Sequence, residues 1–147
     1  MSEGQRVPIV LVDDDPDEHF LFRADLEDAG VDFDFHAFTK ADEALDHLRE
    51  RAGQAALVLT DLSLAADGAL KLIQEAADLI PSGAIGVYSG TRNPEAEQRC
   101  RDAGARFYIV KPVTRQKLEE VVIDAPGVHA EARADGSLHI VIKPTEL

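Results

Sequence analysis

Two rhythms of apolar and polar positions alternate along the chain. "VPIVLV" (7–12) is a continuous β-rich apolar run bounded by turn formers, which predicts a buried strand. Pro16 suits the first turn of a helix over about 17–29, and Gly30 stops it. "VDFDFHAF" (31–38) alternates with period two, which predicts a strand with one solvated face at a sheet edge. Thr39 is placed to cap a second helix through about Arg51, with Ala41, Ala44, Leu45 and Leu48 on one stripe and Gly53 at its end. "AALVLT" (55–60) is a third strand, and "DGALKLIQEAADLI" (67–80) is a helix closed by Pro81 and Gly83. "AIGVYS" (84–89) is a fourth strand. Asn93-Pro94 then opens a helix with Glu95 and Glu97 in its positive first turn, ending at Ala103 before Gly104. "RFYIV" (106–110) is the fifth strand, and Thr114 caps a last helix to about Asp124.

The order is a strand and a helix, five times over. Short turns and apolar central strands imply a parallel sheet with helices on both faces. In such sheets ligands bind beyond the carboxyl ends of the strands, so the residues just after each strand carry the interest. Those are Asp13 and Asp14, then Asp61, Ser89, and Lys111 followed by Pro112. Singly, a strand-end aspartate is a helix cap and a strand-end lysine is solvated. Together they bring three carboxylates, a hydroxyl and an ammonium to one rim.

Composition narrows the partners. The chain has 147 residues, enough for one domain with a proper core. Its formal net charge of −13 argues against duplex nucleic acid, which demands Lys and Arg for phosphate contacts. No apolar stretch reaches a membrane span, "MSEGQRVP" lacks a signal-peptide core, and Cys100 is alone. A cytoplasmic location is expected. "VDDDPDEH" packs like charges that repel, and hard oxygen ligands at one point suit Mg²⁺ (or Mn²⁺). A cation there would neutralise the carboxylates and draw phosphate oxygens toward them. The hydroxyl and the ammonium could bind the remaining oxygens.

At this point the sequence resembles the receiver domain of two-component response regulators, over about residues 7–124. The matching pieces are "IVLVDD" (9–14), "LVLTDLSLAADG" (57–68), "IGVYSG" (85–90) and "AGARFYIVKP" (103–112). The resemblance implies a flavodoxin-like fold, a doubly wound parallel sheet of order 2-1-3-4-5. It implies that Asp61 accepts a phosphoryl group from a histidine kinase or phosphotransfer protein. It implies that Asp13, Asp14 and Asp61 hold the metal with the backbone carbonyl of Ser63. Ser89 and Lys111 would bind phosphoryl oxygens, Tyr108 matches the switch aromatic, and the Lys111-Pro112 bond matches one that is usually cis. Gly90 and Thr91 border the access to the acceptor. The loop "DLSLAADG" departs from the family: it lacks a proline and is one residue shorter. Ser also stands at 89 where Thr is commoner.

Other chemistries fit less well. "VDDDP" also resembles the start of haloacid-dehalogenase-type phosphatases, with Asp13 as nucleophile and Asp15 as acid-base. Those enzymes need acidic metal ligands after the lysine, and "KPVTRQKLEEVV" supplies no aspartate before Asp124. A degenerate receiver acting as a constitutive binding module is a third reading, but all five key residues are present. An EF-hand loop fails, because Glu18 stands at the glycine position and Ala24 at that of the bidentate Glu.

Residues 125–147 exceed what a receiver needs, so the division expected is 1–124 and 125–147. Pro126-Gly127 breaks the last helix. The tail reads as a β-hairpin about a type I′ Asp135-Gly136 turn, with Leu138, Ile140 and Ile142 on one face. An isolated hairpin is marginal in water, so this one should pack on its own domain or pair with another chain. Beginning where the last helix ends, it should lie beside the face of the fourth and fifth helices. That face is the expected output surface toward an unknown downstream protein or a homodimer.

Overall fold

The computed structural model describes residues 5–51, 53–62 and 68–143. The elements in chain order are β1 (Pro8–Val12), α1 (Pro16–Asp28), β2 (Val31–Asp32), β3 (Asp34–Phe38), α2 (Ala41–Glu50), β4 (Leu57–Thr60) and α3 (Gly68–Leu79). They continue as β5 (Ala84–Ser89), α4 (Pro94–Ala103), β6 (Phe107–Val110), α5 (Arg115–Ile123), β7 (Val128–Ala132) and β8 (Leu138–Ile142). The main sheet has the order β3-β1-β4-β5-β6, all parallel, which is 2-1-3-4-5 counted in strand–helix units. This is the flavodoxin-like architecture.

The apolar run of β1 explains the layering. Successive side chains point to opposite faces, and both faces are covered. Ile9 and Leu11 join Phe22, Leu26, Leu118 and Val121 on the α1–α5 side. Val10 and Val12 join Leu45, Leu48, Leu72 and Ile73 on the α2–α3–α4 side. Helix starts follow their caps: Asp15 accepts from the Asp17 amide, Asn93 from those of Glu95 and Ala96, and Thr114 from that of Lys117. Thr39 does not cap α2. The cap position is Lys40, which makes no side-chain cap bond, and the Ala44 amide reaches its carbonyl.

The expected single strand over 31–38 is divided at Phe33. β1 starts at Pro8, which has no amide hydrogen, and pairs with β3 from Asp34 onward. Upstream of Pro8 the chain leaves the main sheet: the Val7 amide bonds to Ile140 O and the Ile142 amide to Gln5 O. β2 is left to pair with the start of β8. A second sheet results, of order β2-β8-β7. The tail is therefore a hairpin packed on its own domain. Val128, Leu138 and Ile140 are buried in the same cluster as Ile9 and Phe22, and Ile142 packs partly buried against it.

One detail of the tail differs from expectation. The Gly136 amide bonds to Arg133 O, and Arg133 N–H to Ser137 O, so the loop holds three residues with Gly136 at φ 91°, not a two-residue type I′ turn. Of the helix face it was expected to flank, the hairpin meets α5, against which β7 packs. The Gly127 amide bonds to Ser82 O just ahead of β5, and the Leu138 amide to Gly30 O ahead of β2. The second sheet thus closes the amino end of the main sheet, opposite the rim of strand-end carboxylates.

Candidate functional site

Three backbone hydrogen bonds set the rim. The Asp13 amide bonds to Phe38 O, the Asp61 amide to Val12 O and the Lys111 amide to Ser89 O. Each extends a parallel ladder just past its strand, so Asp13, Asp61 and Lys111 leave the sheet at one level. Their side chains converge. Lys111 Nζ lies 3.5 Å from Asp61 Oδ2, 3.7 Å from Asp13 Oδ2 and 3.1 Å from Glu18 Oε2. The Lys111–Pro112 peptide is cis.

Asp13 is the buried member, 1% exposed. Its Oδ1 accepts the Asp15 amide at 2.9 Å, while its Oδ2 is buried and receives no hydrogen bond from the described residues. Burial pushes its carboxyl up to about 6, aided by the neighbouring Asp61 carboxylate and opposed by the Asp15 amide and the Lys111 ammonium. A divalent cation fits such a donor set. It is hard, oxygen-bearing and underbonded at Oδ2, with Asp61 alongside and Asp14 next in the chain. Asp14 itself is exposed. Among the described residues, no three or more His, Cys, Asp or Glu side chains stand preassembled as a metal centre. Ser63 lies outside the described residues.

The second half of the rim is built by β5 and β6. Ser89 is half-buried, and its Oγ is 3.5 Å from the Thr91 amide. Gly90 and Thr91 are exposed, and a side chain added at Gly90 would meet open space. The Tyr108 hydroxyl donates to Thr91 O at 2.6 Å, and the Arg92 guanidinium sits 5.5 Å above the Tyr108 ring. Tyr108 is thereby tied to the loop that carries Ser89.

Sequence reasoning did not single out two residues here. Glu18 makes the shortest contact to Lys111. It stands three residues after the cap Asp15, where a capping-box glutamate would turn back to the cap amide, but the Asp13 carboxylate already holds that amide. Tyr88 places its ring 5.4 Å from Lys111 Nζ, and its hydroxyl accepts the Val113 amide at 2.9 Å. Burial raises the Tyr88 hydroxyl to about 12, so it stays protonated. The "VYS" run shows an aromatic beside Ser89, but only the fold shows the ring beneath the ammonium.

The response regulator receiver domain model matches residues 9–123, and the chain belongs to this family of signalling domains. Solved structures agree. The chain is 31% identical to a response regulator receiver domain from Rhodospirillum rubrum, over 76% of this chain and 84% of that one, with a TM-score of 0.63. It is 26% identical to a CheY-like receiver domain protein from Methanospirillum hungatei, over 79% and 90%, with a TM-score of 0.62. A response regulator from Burkholderia pseudomallei, solved with a phosphorylated aspartic acid, calcium ion and citrate, shares the fold at 23% identity and a TM-score of 0.64, over 78% and 65%. No curated protein matches. Among the described residues, no helix is long and apolar enough to cross a membrane.

Proposed function

We propose that this receiver accepts a phosphoryl group on Asp61 from the phosphohistidine of a histidine kinase or phosphotransfer protein, and signals through protein–protein contact. The observation that carries this is the Lys111 ammonium held between the Asp13 and Asp61 carboxylates at adjoining strand ends. An Asp61 carboxylate oxygen attacks phosphorus, forming an O–P bond as the donor P–N bond breaks and its electron pair returns to the imidazole. Mg²⁺ (or Mn²⁺), bound by Asp13, Asp14 and Asp61 with the Ser63 carbonyl, would neutralise charge on the phosphoryl oxygens and on the acceptor. Lys111 and Ser89 bind the other phosphoryl oxygens, and Gly90 leaves the approach open.

The output surface in this reading is the face of α4, β6 and α5. It holds a groove of about 370 Å³ lined by residues that include Arg92, Arg101, Tyr108, Lys117 and Glu120. Movement of Ser89 toward the phosphoryl group would pull on Thr91, whose carbonyl holds the Tyr108 hydroxyl. A partner that binds the two positions of Tyr108 unequally reads the change. The test is intact mass after acetyl phosphate treatment with and without Mg²⁺. A single phosphoryl adduct on the wild type, absent in Asp61→Asn and after chelation, is expected. An equal adduct on Asp61→Asn overturns the assignment.

A further inference from the structure

We propose that β7 is an interface strand through which two copies of this chain pair edge to edge, in antiparallel orientation, centred on Ala130. β7 is the outer strand of the second sheet, with β8 on its inner side. The Arg133 amide bonds to Ser137 O and the Lys143 amide to Gly127 O, which fixes the phase of the ladder. In an antiparallel pair such bonds recur every second residue, so His129 and Glu131 use their backbone groups toward β8. The amides of Ala130 and Ala132 therefore point outward, and among the described residues no hydrogen bond engages them.

This edge lacks the usual protection. Natural edge strands carry proline, a bulge or a lysine that disfavours pairing. β7 reads "VHAEA", an unbulged run with small side chains at both outward-bonding positions. The sequence is also self-complementary about Ala130. Antiparallel pairing there sets Ala130 against the partner's Ala130, with two reciprocal N–H···O bonds. It sets His129 against the partner's Glu131, and Glu131 against the partner's His129. An imidazole donor then faces a carboxylate acceptor twice, on the exposed side of the sheet. Sliding the partner strand by one residue turns its bonding groups the wrong way. A shift by two along this strand breaks both facing pairs.

Continuity with a groove that Glu119, His129 and Lys143 share with apolar residues adds to the case. Val122, Ile123, Pro126, Val128 and Ala130 line a depression of about 380 Å³ beside β7. Ile123 is 82% exposed there, and a strand laid along β7 would pass next to it. The occupant that the facing pairs select is a second copy of this chain.

The test is sedimentation equilibrium of the full chain from micromolar to millimolar concentration, with amide exchange read at Ala130 and Ala132. The wild type should dimerise, and those two amides should gain protection as concentration rises. Ala130→Pro removes the central donor without touching the β7–β8 ladder. It should weaken dimerisation at least tenfold with far-UV circular dichroism and melting unchanged. His129→Glu should also weaken it by placing carboxylates face to face, and adding Glu131→Lys should restore it. Should Ala130→Pro lose its native melt, the charge pair decides. A wild type that stays monomeric at millimolar concentration overturns the proposal, leaving the edge to a strand from another protein. So does a dimer whose affinity ignores both positions.

Discussion

Lys111 is held more closely by Glu18 than by either strand-end aspartate: its Nζ is 3.1 Å from the Glu18 carboxylate, against 3.5 Å for Asp61 and 3.7 Å for Asp13. The cation proposed to bind the phosphoryl group is thus engaged by a residue of α1 in the resting protein. Phosphoryl capture has to compete with that contact. Burial works against the charge on Lys111, but the Glu18 hydrogen bond and the Asp61, Glu18 and Asp13 charges outweigh it and raise its pKa.

Glu18→Gln should therefore free the ammonium. A partly exposed pair is worth about 1 kcal/mol or less, so labelling by acetyl phosphate should quicken by up to about fivefold. The Lys111 pKa should fall, as read by NMR of the Nζ-bearing carbon. Slower labelling in this variant would mean that Glu18 orients Lys111 productively and does not restrain it.

The Asp13 carboxyl predicts an unusual pH dependence for the metal-free protein. Its folded pKa, about 6, lies above its ordinary value of 3.8. Between those values the folded state binds more protons than the unfolded one, so stability falls as pH rises from about 4 to about 6 and levels off above. The loss attached to Asp13 is up to about 3 kcal/mol. Asp13→Asn should flatten that segment and raise the melting temperature of the chelated protein at neutral pH. Mg²⁺ should raise the wild-type melting temperature at pH 7 and have little effect on the variant. Thermal scans across pH, with Mg²⁺ and with chelator, check all three outcomes.

The strand–helix order and the strand-end residues were legible because period-two and period-3.6 patterns are local, whereas the sheet order followed from the family resemblance. Capping residues are local too, which is why Asn93 and Thr114 could be placed. Glu18 and Tyr88 were not, because a carboxylate in a helix and an aromatic in a buried strand each have ordinary readings. Their contacts to Lys111 cross about 90 residues and 20 residues of chain. The division of 31–38 at Phe33 was hidden for a similar reason. Alternation shows that a segment is extended but not which strand it joins. Only the return of β8 beside β2 and residues 5–7 takes the first two residues out of the main sheet.

Lys111→Ala should separate the two jobs at the rim. The ammonium touches both the proposed acceptor and Asp13, so its loss should cut phosphoryl labelling by tenfold or more. Metal affinity should hold or tighten, because a positive charge 3.5 Å from the Asp61 carboxylate and 3.7 Å from that of Asp13 repels a cation bound by them. Calorimetric Mg²⁺ titration beside the labelling rate distinguishes the two. A large loss of Mg²⁺ affinity would show that Lys111 organises the carboxylates instead of binding phosphate.

The tail hairpin should prove inseparable from the domain that precedes it. Leu138 and Ile140 are nearly fully buried, in one cluster with Ile9, Leu11, Phe22 and Leu26. The strand they belong to also takes the Val7 amide and lends its edge to β2. Ile140→Ala should cost about 2–5 kcal/mol by removing buried methyl groups and leaving a cavity. A domain of this size has about 5–15 kcal/mol in total. Deleting residues 126–147 removes Val128 along with both residues and uncovers Val7 and Val31. The truncated chain should lose its cooperative melt, and phosphoryl labelling with it. Denaturant unfolding of Ile140→Ala and of the truncated chain, followed by circular dichroism, decides the matter. A truncated chain that melts at the wild-type temperature and labels at the wild-type rate would make the hairpin an appendage.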